Sequence, residues 1–139
     1  MNKTELKIIK EIPKEEYNIA INIYNECFNK NTTNIATPLL GNLLGLYLDN
    51  TLIGIAQIDY FNNIMDNQKQ AIINNFCIKK EYQHQGYGNY LLNECIKYLK
   101  NKGINKINMT SNKNRIYAHM LYQKNNFEII DTILLNKNI

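Results

Sequence analysis

The stretch Gln83-His84-Gln85-Gly86-Tyr87-Gly88 runs into a segment where Leu91, Leu92, Cys95, Ile96 and Leu99 recur at the period of an amphipathic helix. Lys100 and Lys102 close that helix and Gly103 follows it, so its end is as clearly marked as its start. The first N–H groups of a helix lack internal partners and carry the positive end of its dipole. Gly86 and Gly88 leave that end without side chains, which suits a phosphate or pyrophosphate. Two familiar cradles do not fit. A dinucleotide fingerprint requires Gly at position 91, which is Leu91, and a P-loop requires Lys-Ser/Thr after a later Gly. The plainer alternative is a turn glycine followed by a helix-entry glycine, so the flanking segments must decide.

Those segments divide cleanly by apolar period. Leu6-Lys7-Ile8 alternates as a first strand, and after Ile12-Pro13 the residues Tyr17, Ala20, Ile21, Tyr24 and Phe28 fall at helical spacing. Residues 29–42 have no period and form a loop or one short helix, the natural variable wall of a site. Leu43 to Leu48 and Leu52 to Tyr60 read as strands joined by a tight turn at Asp49-Asn50, and a second connection leads into Ala71 to Ile78. Beyond the central helix, Ile107 and Met109 alternate as a fifth strand. A third helix then takes Ala118, Leu121 and Tyr122 inward until Asn125-Asn126 stops it. Phe127 to Ile130 and Ile133 to Leu135 are expected to add two short strands. The expectation is one α/β (α+β) domain over residues 1–139, a mixed sheet of about seven strands flanked by helices.

Composition adds exclusions. The net charge of +4 arises from 16 basic and 12 acidic residues dispersed without blocks, which argues against a nucleic-acid-binding stripe. No apolar stretch follows Met1-Asn2-Lys3-Thr4-Glu5, and no run is long enough to span a bilayer, so a cytoplasmic protein without a membrane partner is expected. Cys27, Cys77 and Cys95 lie far apart without a Cys-x-x-Cys pair and read as free thiols. His84 and His119 are separated and lack companions, so no metal site is expected.

The segments "FCIKKEYQHQGYGNYLL" and "RIYAHMLYQKNNF", some 30 residues apart, together resemble the GNAT superfamily of acetyl-coenzyme A-dependent N-acetyltransferases. Gln83, Gly86 and Gly88 match its Arg/Gln-x-x-Gly-x-Gly/Ala signature; Ala118, Leu121, Tyr122 and Phe127 match its Ala-x-x-Leu/Phe-Tyr-x-x-x-Gly-Phe signature. With the order of elements, the likeness extends over nearly the whole chain. Asn126 stands where that family usually has Gly, and Asn can occupy the same left-handed stop. The resemblance implies a mostly antiparallel sheet splayed between its fourth and fifth strands. It assigns acetyl-CoA to Gln83, His84, Gln85, Gly86, Tyr87 and Gly88, to Asn114, and to the strand end Phe76, Cys77 and Ile78.

Acyl transfer from a thioester needs an unprotonated amine, a donor for the developing oxyanion and a proton for the departing thiolate. The resemblance gives Tyr122 the last role, also in contact with the coenzyme, although its helical spacing equally suits a core residue. The oxyanion falls to the N–H of Phe76 or Cys77. The base is open. Asn74 and Asn75 occupy the region where several family members have a carboxylate, and an amide accepts no proton at neutral pH; Glu26 and Asp59 are the carboxylates left to weigh. Cys77 as an acetylated nucleophile is disfavoured, with no His nearby in sequence to activate it. The expected activity is direct transfer of acetyl to a primary amine of a small molecule or peptide; a homodimer is compatible with the sequence, which does not decide oligomeric state. Two alternatives are a coenzyme A-binding module without catalysis, which the Tyr122 match argues against, and nucleic-acid binding.

Overall fold

A computed structural model describes residues 5–139; the reading of the first few residues as free of a leader lies largely outside it. The described elements are strand β1 (Lys7–Glu11), a 3₁₀ turn (Lys14–Glu16), helix α1 (Tyr17–Phe28), strands β2 (Asn42–Leu48), β3 (Thr51–Asn63) and β4 (Gln68–Ile78), a second 3₁₀ turn (Lys80–Tyr82), helix α2 (Tyr87–Asn101), strand β5 (Lys106–Met109) and helix α3 (Ile116–Lys124). No described helix is long and apolar enough to cross a membrane.

The five described strands lie in chain order. β1 to β4 pair antiparallel through successive connections and β5 joins β4 in parallel. Asp49 and Asn50, at φ 48° and 69°, make the β2–β3 turn with both central residues left-handed, the twist that a two-residue hairpin needs. Asn29 at φ 52° ends α1, and Asn126 at φ 69° follows α3 as the left-handed stop expected of it.

The sheet is covered on both faces. On one, Ala20 and Ile23 of α1 pack with Ile12, Tyr47, Leu52, Ile55 and Cys77. On the other, the apolar stripe Leu91, Leu92, Cys95 and Leu99 of α2 is fully buried against Leu44, Leu46, Ile53, Ile58 and Ile73. Burying one such aliphatic side chain contributes about 1.5–3 kcal/mol, so each stripe fixes its helix on its face.

The expected sixth and seventh strands are absent, which corrects the count to five: residues 127–139 take no strand pairing. A strand needs a template and one buried face. β5 offers four residues, and Ile129-Ile130 and Ile133-Leu134-Leu135 come as a doublet and a triplet that no single register can bury on one side. These residues are 61–86% exposed.

Candidate active site

β4 is eleven residues long but pairs with β5 only from Gln70 to Ile73. Beyond Ile73 the two strands separate, and the expected splay is present. Its cause lies in the β3–β4 register, which steps from Ile55 opposite Cys77 to Gln57 opposite Asn74. The extra residue on β4 is accommodated by Asn75 at φ 51°, a bulge that bends the strand. The bulge also turns both asparagines toward β3. Asn74 Nδ2 donates to Asp59 Oδ2 at 3.3 Å, and Asn75 Nδ2 to Gln57 Oε1 at 2.8 Å. Gln57 Nε2 adds a 3.0 Å bond to the same Asp59 oxygen, and Thr110, just past β5, donates to Asn74 Oδ1 at 2.5 Å. One polar network thus spans the mouth of the splay.

Along the opened end of β4, alternate peptide groups face opposite ways. Lys79 N–H bonds Ile53 O at 2.7 Å, and Cys77, opposite Ile55, is in the same phase. The N–H of Cys77 therefore points to β3, whereas Phe76 and Ile78 direct theirs to the opening. Side chains already converge there: Arg115 Nη2 donates to Phe76 O at 3.4 Å and Gln83 Nε2 to Ile78 O at 2.8 Å.

Tyr122 of α3 closes the far side. It is 6% exposed, and its ring meets Phe76 edge to face at 5.9 Å between centroids. Burial raises the phenol above its ordinary pKa, while the neighbouring Arg115 guanidinium pulls the other way. A phenol in this setting stays protonated at neutral pH and is a proton donor rather than a base. Arg115, the chain's one arginine, also lies 4.8 Å over the Phe28 ring, so it ties α3 to α1 across the gap.

The two cysteines of this region perturb one another: Cys77 is raised by the neighbouring Cys27 and by burial, and Cys27 is lowered by the neighbouring Cys77. The Cys27 thiol in turn reaches Ile78 O at 3.2 Å. A buried thiol so raised holds little thiolate, which weakens Cys77 further as a nucleophile.

At the other end of the splay, α2 begins at Gly86 without a side-chain cap. The two glycines have different physical reasons. Gly86 sits at φ +89°, where L side chains are strained, and a Cβ there would meet nothing within 4 Å. Gly88 lets α3 approach: its Cβ would come 3.3 Å from Leu121 Cδ2. Open space over uncapped N–H groups is what an anion requires. Gln83 shapes this loop with its side chain, since its own N–H is taken by Lys80 O at 3.2 Å. His84 stacks edge-on to Tyr117 at 5.7 Å, and the Gln85 side chain folds back to Glu81 O at 3.1 Å. Tyr87 turns its ring inward and donates to Glu5 at 3.0 Å, leaving its main chain at the helix mouth. Asn114 lies in the turn before α3, its N–H bonded to Asn112 Oδ1 at 2.9 Å. His119 lies within α3. Gln83 links the two ends of this region, its side chain on Ile78 O and its main chain three residues before Gly86 at the start of α2.

A cavity of about 450 Å³ opens on the α1 side of the sheet, between α1, the loop 29–41, the start of β2, the middle of β3 and Asn75 of β4. The loop is pinned by Asn25, which exchanges two bonds with Thr32 at 2.9 and 3.0 Å. Gly41 permits its close approach to β3, for a Cβ there would lie 2.0 Å from Ile58 O. Of the two carboxylates weighed from sequence, Asp59 lines this cavity. Glu26 instead accepts the N–H of Lys80 at 3.1 Å, so its place is at the 3₁₀ turn. Sequence reasoning missed Arg115, Gln57 and Thr110. A sole arginine in a lysine-rich chain was a usable signal for the first; the other two depend on the bulge and have none.

The sequence profile of the acetyltransferase (GNAT) family matches residues 6–127. A spermidine N(1)-acetyltransferase from Thermoplasma acidophilum is 32% identical over 89 residues, 64% of this chain, and the match spans about half, 52%, of that enzyme's length. Among solved structures, an aminoglycoside acetyltransferase from an uncultured soil metagenomic sample superposes with a TM-score of 0.79 at 14% identity, covering 96% of this chain and 95% of that one. An aminoglycoside N-acetyltransferase in complex with CoA gives 0.79 at 11%, covering 99% and 98%. At these identities the structural likeness concerns the fold.

Proposed function

Because the chain belongs to the GNAT family of acetyltransferases, we propose that it transfers acetyl from acetyl-CoA directly to a primary amine in a ternary complex. The observation that carries this reading is the splay itself. A protonated, buried Tyr122 faces Phe76 across the gap where β4 leaves β5, with an uncapped helix start at one end and Asp59 at the other. In this reading the N–H groups at the start of α2 take the pyrophosphate of the coenzyme, and the unpaired side of Phe76 to Ile78 takes its pantetheine arm through main-chain bonds. Gln83, His84, Gln85 and Asn114 are assigned to the same ligand.

The incoming ammonium gives up a proton to Asp59, directly or through water, and its nitrogen lone pair then attacks the thioester carbon. The N–H of Phe76 receives the developing oxyanion, in preference to that of Cys77, which faces β3. Collapse of the tetrahedral adduct breaks the carbon–sulfur bond, and the thiolate takes the Tyr122 proton; the second proton of the former amine restores the phenol. The balance is ammonium plus thioester giving amide, thiol and one proton. Reference pKa values near 10 for a phenol and about 8.5 for a thiol put the two groups close enough for this transfer.

Initial rates of thiol release, with acetyl-CoA and amine both varied, test the proposal. Intersecting lines are expected. Parallel lines would indicate an acetylated protein, and binding of CoA without amine-dependent thiol release would indicate a non-catalytic module.

A further inference from the structure

The 450 Å³ cavity has a composition that selects among amines. Its walls are largely apolar, with Ile21, Tyr24, Ile35 and Ile55; Thr32, Asn34 and Asn42 add neutral polar groups, and Gln57, Asp59 and Asn75 form a polar strip along the sheet. Among the described residues that line it, Asp59 carries the one charge. No described lysine or arginine pairs with that carboxylate. Its hydrogen-bond partners are two neutral amides, Gln57 at 3.0 Å and Asn74 at 3.3 Å, and both reach Oδ2. They fix the plane of the group without neutralising it. Oδ1 lies toward Gly41, whose Cβ, if present, would come to 3.0 Å from it.

We infer that the acceptor is a monoamine, one ammonium seated on Asp59 with an uncharged, largely apolar body against α1 and the loop 29–41. The inference rests on the acyl-transfer reading and adds to it the class of acceptor. An ammonium taken from water needs a paired anion, and a further cation held against the apolar part of these walls finds no second carboxylate among the described lining residues. A polyamine or an aminoglycoside carries several cations and would have to leave all but one unpaired against Ile35, Leu39 and Ile55. The volume falls within the usual range for small-molecule sites, about 300–1,000 Å³, and is ample for one ring with a short arm. The carboxylate's place is also apt. Asp59 lies opposite Ile72, in the last paired stretch of β4, and through Asn74 and Thr110 it is tied to the point where the sheet opens, so a nitrogen seated on it lies beside the foot of the splay. Selection therefore works by exclusion as much as by attraction, with one apolar cavity rejecting a second charge.

The test uses the full chain with saturating acetyl-CoA and three probe acceptors: phenethylamine, spermidine and sisomicin. Phenethylamine is expected to have a kcat/KM at least tenfold above the other two. Leu40→Glu, which adds a carboxylate at an exposed lining position, is expected to narrow that ratio in favour of spermidine. Calorimetry with CoA present is expected to show that Asp59→Asn weakens phenethylamine at least tenfold and leaves phenethyl alcohol unchanged. A preference for spermidine or sisomicin would overturn the inference while the acyl-transfer reading stands, as would equal weakening of amine and alcohol in Asp59→Asn. Thiol release with none of the three, alongside an intact rise in melting temperature with CoA, would overturn both.

Discussion

Asn74 donates to Asp59 Oδ2 at 3.3 Å while its own Oδ1 accepts from Thr110 at 2.5 Å, so a single amide ties the carboxylate on β3 to the end of β5. That link crosses the point where the sheet opens. Asn74→Ala should release the carboxylate without altering the coenzyme groove. A hydrogen bond to a charged group contributes about 1.5 kcal/mol or more, which corresponds to roughly a tenfold rise in KM for the amine. The melting-temperature shift with CoA should be unchanged; its loss would show that Asn74 serves the fold instead.

Gly86 gives a prediction that separates strain from occupancy. At φ +89°, valine is strained whatever the space, by about 1–2 kcal/mol or more for a left-handed L-residue, so Gly86→Val should lower the melting temperature by itself. Asparagine enters this region more readily and should preserve the fold. Its side chain would occupy the open space over the start of α2, so Gly86→Asn should melt near the wild-type temperature yet lose most of its response to CoA. A full response would remove the helix start from the coenzyme site.

The thiols should alkylate in a fixed order. Cys27 is lowered by the neighbouring Cys77, Cys77 is raised by Cys27 and by burial, and burial pushes Cys95 up to about 12. More thiolate means faster reaction, so iodoacetamide at neutral pH should modify Cys27 first, as read by peptide mass. Cys77→Ala should keep turnover within a few-fold of wild type. Loss of all turnover in that variant would revive the acetyl-cysteine route.

Asn126→Gly should stabilise the protein. Asn126 holds φ 69° after α3, and a glycine takes that conformation without its steric cost, a gain of about 0.5–1 kcal/mol visible in thermal melts. A fall in melting temperature would mean that the asparagine side chain supplies a bond there.

Much of this arrangement was legible in the sequence because it depends on local chemistry. Gly86 and Gly103 mark the ends of α2, Asp49-Asn50 marks a two-residue hairpin, and the period of Leu91, Leu92, Cys95 and Leu99 identifies a helix with one buried face. The splay followed from the family resemblance, and the inward position of Tyr122 from the helical spacing of α3. The acceptor side was not legible, because it depends on register. One extra residue at Asn75 decides that Asn74 reaches Asp59 rather than solvent, and nothing in "IINNFCI" announces the slip. The two missing strands failed for a related reason. The residues 127–135 have strand-forming composition, but their apolar doublet and triplet do not alternate, and a four-residue β5 is a short template.

The account stands most directly on Tyr122. Tyr122→Phe keeps the ring that packs against Phe76 and removes the hydroxyl alone, so the melting temperature and its shift with CoA should barely change. Burial raises this phenol above its ordinary value near 10, so it remains protonated throughout the neutral range and should impose no alkaline fall there. The rise in rate with pH belongs to the amine and its base, and it should persist in the variant at reduced height. The decisive measurement is turnover of Tyr122→Phe at saturating amine, with chemistry shown to be rate-limiting. A fall of about 10²–10⁴-fold is predicted, the usual range for loss of a general acid. Turnover equal to wild type would contradict the account, leaving Tyr122 as core packing and the thiolate to be protonated by water.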